Sequence, residues 1–342
     1  MLDGSREMQW LEAVAKGSYK YYRSRLSEED KRNYDIVFNA ILKREPLAKG
    51  LKIHPQKIPV LMHHVLRDNP IFYYTKTEYS YNGKGQVWDI KIEYSLSPMT
   101  IKRVAGVLMD RVSAYRKVCQ GKSNYHIIKY VHDSLIDKVE YSFNTTDPYQ
   151  AYSVFLTGKA VCEGIAEATK LRLDCLGVKC ITATGGSRNP DVADMVNHAW
   201  NMVDVGGGNF YHMDVTFDEN LSDRAGVILS NYFLLTEEQI RETHTFEYDL
   251  PTTPQTKIDV FTINRNYYTS YETFRKDFIA ILNAKARRFH FRFCKTENPG
   301  QVIDNVMKLI QETIKYRRER MYINFKSIDV VTTATYVEID YK

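Results

Sequence analysis

Apolar residues recur every three or four positions in several stretches of the chain, which is the spacing of one face of a helix. The clearest stretch follows Ser97-Pro98, because serine caps a helix and proline fits its first turn, and it extends to Cys119. Ser27 and Asn298-Pro299 begin two others. The pattern predicts helices over about 27–45, 55–67, 97–119, 123–138, 162–176 and 270–285, and one after residue 298.

Alternation of apolar and polar residues predicts strands elsewhere. Two such stretches meet at Asn82-Gly83-Lys84-Gly85, where the Asn-Gly pair predicts a hairpin turn. The glycines at 206–208 predict a second hairpin, since glycine adopts the positive φ angles of tight turns. The predicted strands cover about 72–81, 86–95, 178–184, 197–204, 209–218, 288–293, 320–326 and 333–341.

One of these strands carries positive charge. In Arg288-Phe-His-Phe-Arg-Phe293 the phenylalanines fall on one face, and Arg288, His290 and Arg292 fall on the other. We therefore predict a half-buried strand with a solvated basic face. A nucleic acid is the alternative occupant of that face, and its binding would weaken steeply with salt.

The predicted elements group into three regions, and the fold class is α+β. Residues 1–120 are predicted to form a helical and β-hairpin region, residues 121–250 a central core, and residues 258–342 a small α+β module. Between the last two lies Asp249-Leu-Pro-Thr-Thr-Pro-Gln-Thr-Lys257, whose prolines and threonines predict a domain boundary.

Composition and charge narrow the class of protein. Hydrophobic residues make up 44% and charged residues 26% of the 342 residues, which is typical of a folded globular chain. The net charge of +5 is too small to indicate a nucleic-acid partner by itself. No apolar run reaches membrane-spanning length and no leader is recognisable, so we expect a cytoplasmic protein without a membrane partner. An exported protein whose leader had been removed would look the same.

The cysteines are five in number, and no Cys-x-x-Cys pair occurs. Both facts argue against a disulfide framework and against a four-thiolate zinc site. Cys119 lies on the apolar stripe of a predicted helix, Cys175 and Cys180 flank the helix-ending Gly177, and Cys294 ends a strand. We predict structural roles for these four cysteines, and no cofactor.

The fifth cysteine, Cys162, stands where the predicted helix 162–176 begins. The first N–H groups of a helix lack internal partners and carry partial positive charge, so they favour a thiolate over a thiol. They can also donate to the oxyanion that forms when the sulfur attacks a carbonyl. Gly164, inside the first turn, is predicted to leave room for a substrate. The position indicates a nucleophile, whereas a free cysteine without such surroundings is usually a buried structural residue.

A nucleophilic thiol needs a base, and the second predicted hairpin supplies a histidine. With residues 206–208 as the turn, His198 and Asp214 lie diagonally on one face of the two strands, about 7–8 Å apart. Asp214 can then hold the His198 ring and stabilise its imidazolium form, whereas a slip of one residue would separate the two. His212, on the same strand face as Asp214, could join His198, Asp214 and Cys162 as the ligands of a zinc site. No pair has the short spacing typical of zinc sites, so no metal is predicted.

Three blocks of the sequence resemble the core of the transglutaminase-like superfamily, which includes transglutaminases, cysteine peptidases and peptide N-glycanases. The blocks are Gly158-Lys-Ala-Val-Cys162-Glu-Gly-Ile-Ala, His198-Ala-Trp-Asn201 and Phe210-Tyr-His-Met-Asp214-Val-Thr-Phe-Asp218. The resemblance implies a papain-like core in which a helix bearing the cysteine packs on an antiparallel sheet bearing the histidine and the aspartate. It implies Cys162 as nucleophile, His198 as base and Asp214 as orienting acid. The flanks broadly resemble those of uncharacterised bacterial proteins with such a core.

The sequence departs from the superfamily pattern near the nucleophile. Animal transglutaminases use a tryptophan upstream of the cysteine to support the oxyanion, and here no tryptophan lies between Trp88 and Trp200. Tyr152 and Gln150 are the candidates for the second oxyanion donor. No calcium loop of the Asp-x-Asp-x-Asp-Gly type occurs, so calcium dependence is not indicated.

The predicted function is a thiol-dependent acyl-transfer enzyme that acts on peptide or side-chain amide bonds of a protein or peptide substrate. Hydrolysis is favoured over cross-linking, because water needs no acceptor pocket. The alternative is a catalytically silent transglutaminase-like module that binds other proteins. Such a module would not require Cys162, His198 and Asp214 together.

Overall fold

The computed structural model describes residues 4–85, 87–188, 195–294, 298–315, 317 and 321–341. Gln86 and Arg320, at the start of two predicted strands, lie outside the described residues. The chain divides into two compact units, Met1–Ala183 with Ala199–Phe210 and Thr184–His198 with Tyr211–Lys342. The boundaries that the sequence places near residues 120 and 250 remain predictions.

The first unit is mainly helical. Its helices are α1 (Arg6–Gly17), α2 (Tyr21–Arg25), α3 (Glu28–Lys43), α4 (Ile58–Asp68), α5 (Pro98–Cys119), α6 (Asn124–Ile136), α7 (Ala151–Thr157) and α8 (Cys162–Cys175). Its short strands are β1 (Leu47–Lys52), β2 (Thr75–Lys84), β3 (Val87–Tyr94), β4 (Glu140–Tyr141) and β5 (Lys159–Ala160).

Three strands have residues in both units, namely β6 (Cys180–Arg188), β7 (Met195–Asp204) and β8 (Phe210–Met213). The second unit also contains α9 (Val215–Ala225), β9 (Phe233–Leu235), α10 (Glu237–Ile240), β10 (His244–Phe246), α11 (Val260–Ile263), β11 (Tyr267–Tyr268), α12 (Tyr271–Asn283), β12 (Arg288–Phe293), α13 (Pro299–Lys315), β13 (Met321–Asp329) and β14 (Ala334–Tyr341). Strands β6 to β10 form a sheet in the order β10-β6-β7-β8-β9.

Helix boundaries follow the capping residues that the sequence predicts. The Ser27 side chain accepts a hydrogen bond from the Asp30 backbone N–H at 3.1 Å, and Ser97 caps α5 in the same way. These caps satisfy N–H groups that have no partner inside the helix. The mixture of helices and strands confirms the α+β class. Within the part of the chain that the structure describes, no helix combines the length and the apolar character that a bilayer crossing requires.

The first hairpin turns later than the sequence predicts. Strand β2 continues through Asn82 and Gly83 to Lys84, which pairs with Val87 on β3. Gly83 belongs to the strand because Trp88 lies against it, and a Cβ atom there would come within 2.8 Å of the indole ring. Placing the turn at Asn82-Gly83 was therefore wrong.

Helix α8 is buried along most of its length, and its buried residues include charged ones. The Lys170 ammonium donates to Asp174 at 2.9 Å and to the carbonyls of Tyr19 and Cys180 at 2.9 and 2.8 Å. A buried charge is tolerated when it is paired and fully hydrogen-bonded in this way. The Asn201 amide on β7 donates to the carbonyl of Ala166 at 2.9 Å, so these contacts join α8 to β6 and β7 within the unit.

The C-terminal residues form a sheet in the order β11-β12-β14-β13, and α12 and α13 bury a phenylalanine-rich core with it. The basic face predicted for β12 is solvated at Arg288, which is exposed, but not at Arg292. Arg292 is buried, donates to the Asn231 carbonyl at 2.8 Å and lies over the Phe261 ring, which also contacts His290. The strand over 288–293 is confirmed, and the prediction of a solvated basic face was wrong at Arg292, because Phe261 of α11 packs there.

Candidate active site

Cys162 is the first residue of α8, as the sequence predicts, with Val161 as its N-cap. Its side chain is partly exposed, whereas Cys119, Cys175 and Cys180 are buried. Burial raises the pKa of Cys175 to about 12, so that thiol is inert near neutral pH. Cys294 is partly exposed as well.

The segment before Cys162 folds against the first turn of α8. The Val161 N–H donates to the Pro148 carbonyl at 3.0 Å. A Cβ atom on Gly164 would lie 2.4 Å from that carbonyl oxygen and 3.3 Å from the Gln150 carbonyl oxygen. The space at Gly164 is thus filled by the backbone of residues 148–150. The prediction that this glycine leaves room for a substrate was wrong.

The two candidate oxyanion donors have different surroundings. Tyr152 is buried, and its hydroxyl donates to the Asp147 carboxylate. A tyrosine has a single hydroxyl hydrogen, so the bond to Asp147 leaves it none for an oxyanion. Gln150 is the N-cap residue of α7 and lines a cavity together with Glu163, the neighbour of Cys162 in the sequence. Gln150 therefore remains a candidate for the second oxyanion donor.

The structure brings His198 and Asp214 into direct contact in the second unit. The Nε2 atom of His198 lies 2.7 Å from Oδ2 of Asp214, and both residues are buried. The ring of Phe217 packs against the imidazole, with 5.1 Å between centroids. An imidazole held by a carboxylate at one nitrogen has a fixed orientation, which is the arrangement required of a catalytic base.

Asp214 reaches this position through a change of secondary structure. The predicted return strand over 209–218 ends at Met213, and Asp214 is the N-cap of α9. Its Oδ1 accepts a hydrogen bond from the Phe217 N–H at 3.1 Å, which leaves Oδ2 for histidine. The strand prediction was wrong beyond Met213, because the alternating residues Val215 to Asp218 lie in the first turn of a helix.

Sequence reasoning missed a second histidine at the same carboxylate. The Nε2 atom of His244 lies 3.0 Å from Oδ2 of Asp214, and its Nδ1 shares a 2.8 Å hydrogen bond with the hydroxyl of Thr243. His244 lies 30 residues beyond Asp214 on the short strand β10, so no local motif indicates it. His212 is instead buried against the ring of Phe246.

The electrostatics of the group are set by burial and by these two hydrogen bonds. Burial opposes the charge of Asp214, but His198 and His244 outweigh it and hold the pKa of Asp214 well below its usual range. Burial lowers the pKa of His244 against the attraction of Asp214. The carboxylate is therefore ionised at neutral pH, and His244 faces it as a neutral donor.

The same three residues are the group among the described residues that could hold a metal ion, since their ligand atoms lie within 4.8 Å of one another. Both nitrogen–oxygen distances are hydrogen-bond lengths, so an ion would have to displace both bonds. His212, the further zinc ligand considered from the sequence, is not part of this group. The hydrogen-bonded arrangement accounts for the geometry without a metal.

Comparison with known proteins identifies the class of domain. The model of the transglutaminase-like superfamily matches residues 114–215, a segment that contains Cys162, His198 and Asp214. No curated protein matches the chain. This segment therefore belongs to the transglutaminase-like superfamily.

Two solved structures are similar to parts of the chain. A proposed cysteine protease from Cytophaga hutchinsonii shares 13% identity, with a TM-score of 0.28 over 41% of this chain and 61% of the other. A structure described as a TGase shares 12% identity, with a TM-score of 0.29 over 53% of this chain and 52% of the other. The chain thus spans about half to three fifths of the length of these two structures.

Proposed function

We propose that the protein is a thiol-dependent acyl-transfer enzyme that acts on peptide or side-chain amide bonds. The observation that carries the proposal is the buried 2.7 Å hydrogen bond between His198 and Asp214. It lies in the same superfamily segment as Cys162, which begins a helix and is partly exposed. Cys162 is assigned as the nucleophile, His198 as the base and Asp214 as the residue that orients the base.

The pairing of Cys162 with His198 is supported by the packing of their own elements. Asn201, three residues after His198 on β7, donates to the carbonyl of Ala166, four residues after Cys162 on α8. This contact lies within the first unit. It joins α8, which begins at Cys162, to the part of β7 that lies in the same unit.

The first half of the reaction forms a thioester. The sulfur of Cys162 attacks the carbonyl carbon, the new S–C bond forms, and the carbonyl electron pair moves onto oxygen. Backbone N–H groups at the start of α8 and the Gln150 side-chain amide donate to that oxyanion. Nε2 of His198 contacts Asp214, and Nδ1 is assigned to proton transfer, so that Nδ1 takes the proton of the Cys162 thiol as the sulfur attacks. Nδ1 protonates the leaving amine as the C–N bond breaks.

The second half releases the acyl group. Water attacks the thioester carbon, His198 takes a proton from that water, and the C–S bond breaks. His198 returns that proton to the sulfur, so the products are a carboxylic acid and the free thiol of Cys162. Hydrolysis is proposed over cross-linking because water requires no second binding site, whereas an amine acceptor does.

The test is an assay of amide cleavage on a library of peptides and denatured proteins. New α-amino groups report peptide-bond cleavage, released ammonia reports side-chain amide cleavage, and incorporation of a fluorescent primary amine reports cross-linking. The wild type is expected to give one of the first two products. Cys162→Ala and His198→Ala are each expected to lower the rate by about 10²-fold or more, while Cys294→Ser leaves it unchanged. Absence of all three products, with Cys162 unreactive toward thiol probes, would support a silent binding module instead.

A further inference from the structure

A cavity of about 190 Å³ lies within the first unit beside the residue that follows Cys162. A cavity of about 150 Å³ already holds benzene, so this one can hold a single large side chain. Its apolar walls come from α4, from the turn before β2 and from β2 itself, and its polar end comes from the first turns of α8. The wall residues include Met62, Leu66, Phe72, Tyr73 and Tyr79.

The polar end of the cavity carries more carboxyl groups than cationic groups. Arg67 lies 2.8 Å from a carboxylate oxygen of Glu163 and 2.8 Å from one of Glu167. An adjoining cavity shares Glu163 and Gln150 and adds Glu78 and Asp147, with Lys76 as its cation. The described lining of the two cavities thus has four carboxylates and two cations, although the whole chain carries a net charge of +5.

Two buried oxygen atoms of the lining point independently to a ligand that donates hydrogen bonds. The Asn69 side-chain nitrogen donates to the Tyr34 hydroxyl and to the Val65 carbonyl, both at 2.7 Å, which fixes the orientation of the amide. Its oxygen is buried and has no hydrogen-bond partner among the described residues. The Thr75 hydroxyl is also buried and has no hydrogen-bond partner among the described residues. An amide oxygen can only accept, so its missing partner is a donor.

The guanidinium group of arginine suits the aromatic wall, the carboxyl groups and the unpaired acceptor oxygen of this cavity. A guanidinium group carries a positive charge and five N–H donors in one plane, and it stacks on aromatic rings such as those of Tyr73 and Tyr79. Each carboxylate can accept further bonds besides the one that it makes with Arg67. Burial, together with the charge of Glu163, raises the pKa of Glu167 to about 8 against the effect of Arg67, and a second cation nearby would favour its ionised form.

We propose that this cavity is a subsite for an arginine side chain of the substrate. The proposal rests on the proposed function, because Glu163 follows Cys162 in the chain and a side chain held there belongs to a residue near the bond that is cleaved. The substrate class is then arginine-containing peptides.

Binding can be measured without turnover in Cys162→Ala protein, by calorimetric titration with Nα-acetyl-arginine methylamide. The matched ligand is the citrulline analogue, which has nearly the same shape and no charge. We expect the arginine ligand to bind at least about tenfold more tightly, which corresponds to about 1.4 kcal/mol. Glu163→Gln is expected to weaken arginine binding about tenfold and to leave citrulline binding unchanged. Glu12→Gln, at an exposed carboxylate that lines neither cavity, is the matched control.

Thr75→Val provides a second variant, because it removes one hydroxyl from the lining with little change of volume. It is expected to weaken arginine binding about threefold, with the melting temperature checked for each variant. Equal binding of both ligands, no saturation at millimolar arginine ligand, or no effect of Glu163→Gln and Thr75→Val would overturn the subsite. Arginine binding without amide cleavage by the wild type would refute the proposed function alone. Cleavage without preference for arginine over citrulline peptides would refute the subsite alone.

Discussion

His198 and His244 share a single hydrogen-bond acceptor, the Oδ2 atom of Asp214, at 2.7 and 3.0 Å. The carboxylate is fully buried, and its other oxygen caps α9 through the Phe217 N–H. Asp214 is therefore held from three directions. Because its position determines the orientation of the His198 ring, His244 and the start of α9 act on the proposed base through Asp214.

Asp214→Asn separates the charge of this residue from its shape. Asparagine is an equally good N-cap, so we expect the free energy of unfolding to change little through the cap of α9. The amide cannot stabilise an imidazolium, so the rate of amide cleavage should fall by about 10³-fold or more. Denaturant unfolding and the cleavage assay measure the two effects. An active variant would show that Asp214 has only a structural role.

His244 is predicted to be a positioning residue. His244→Leu removes a donor from the buried carboxylate, so cleavage should slow by about tenfold and its pH profile should shift, with little change in KM. Glutamine can donate to the same oxygen, and His244→Gln should recover most of the rate with the wild-type profile. If both variants lose stability equally and keep the wild-type pH profile, His244 serves packing alone.

Gly164 should not tolerate a side chain. Its Cβ would meet the backbone carbonyl of Pro148, which cannot move without disturbing residues 148–150, so Gly164→Ala should cost about 1–3 kcal/mol of unfolding free energy. Gly106→Ala in α5 is the matched control, since the nearest heavy atom there is 3.8 Å away. That control should gain about 0.5–1 kcal/mol. Urea unfolding measures both changes, and equal changes in unfolding free energy for the two variants would contradict this prediction.

His212 should contribute to loss of stability in acid. Burial lowers the pKa of His212 to about 3, so the folded protein binds this proton less readily than the unfolded chain. The stability that it contributes is present above pH about 6.5 and is lost as the pH falls toward 3, by up to about 1.4 kcal/mol per pH unit. In His212→Phe this slope should be absent. Parallel stability curves for wild type and variant between pH 7 and 5 would contradict the assignment.

Local rules predicted the parts of the fold that local interactions determine. The caps at Ser27 and Ser97 and the start of α8 at Cys162 follow from residues within a few positions. The solvated basic face of β12 was mispredicted at Arg292, because Phe261 of α11, more than twenty residues upstream, packs on that side chain. A residue pattern shows which face is polar, but it does not show what packs on that face.

The candidate site likewise contains residues that the sequence predicted and one that it did not. Two of its members, His198 and Asp214, were paired from the predicted hairpin and from the resemblance, and they are in contact. The diagonal strand geometry used for that pairing was wrong, because Asp214 caps a helix. His244 depends on the pairing of β10 with β6 in the sheet, which alternation over three residues cannot reveal.

The most direct test of the central claim is the rate at which iodoacetamide alkylates Cys162 at pH 6, located by peptide mass spectrometry. Cys294 is also partly exposed and serves as the reference thiol in the same molecule. The account predicts that Cys162 reacts at least about tenfold faster than Cys294, and that His198→Ala removes this advantage. The central claim would be contradicted if Cys162 reacts no faster than Cys294, or if Cys162 reacts as fast in His198→Ala as in the wild type.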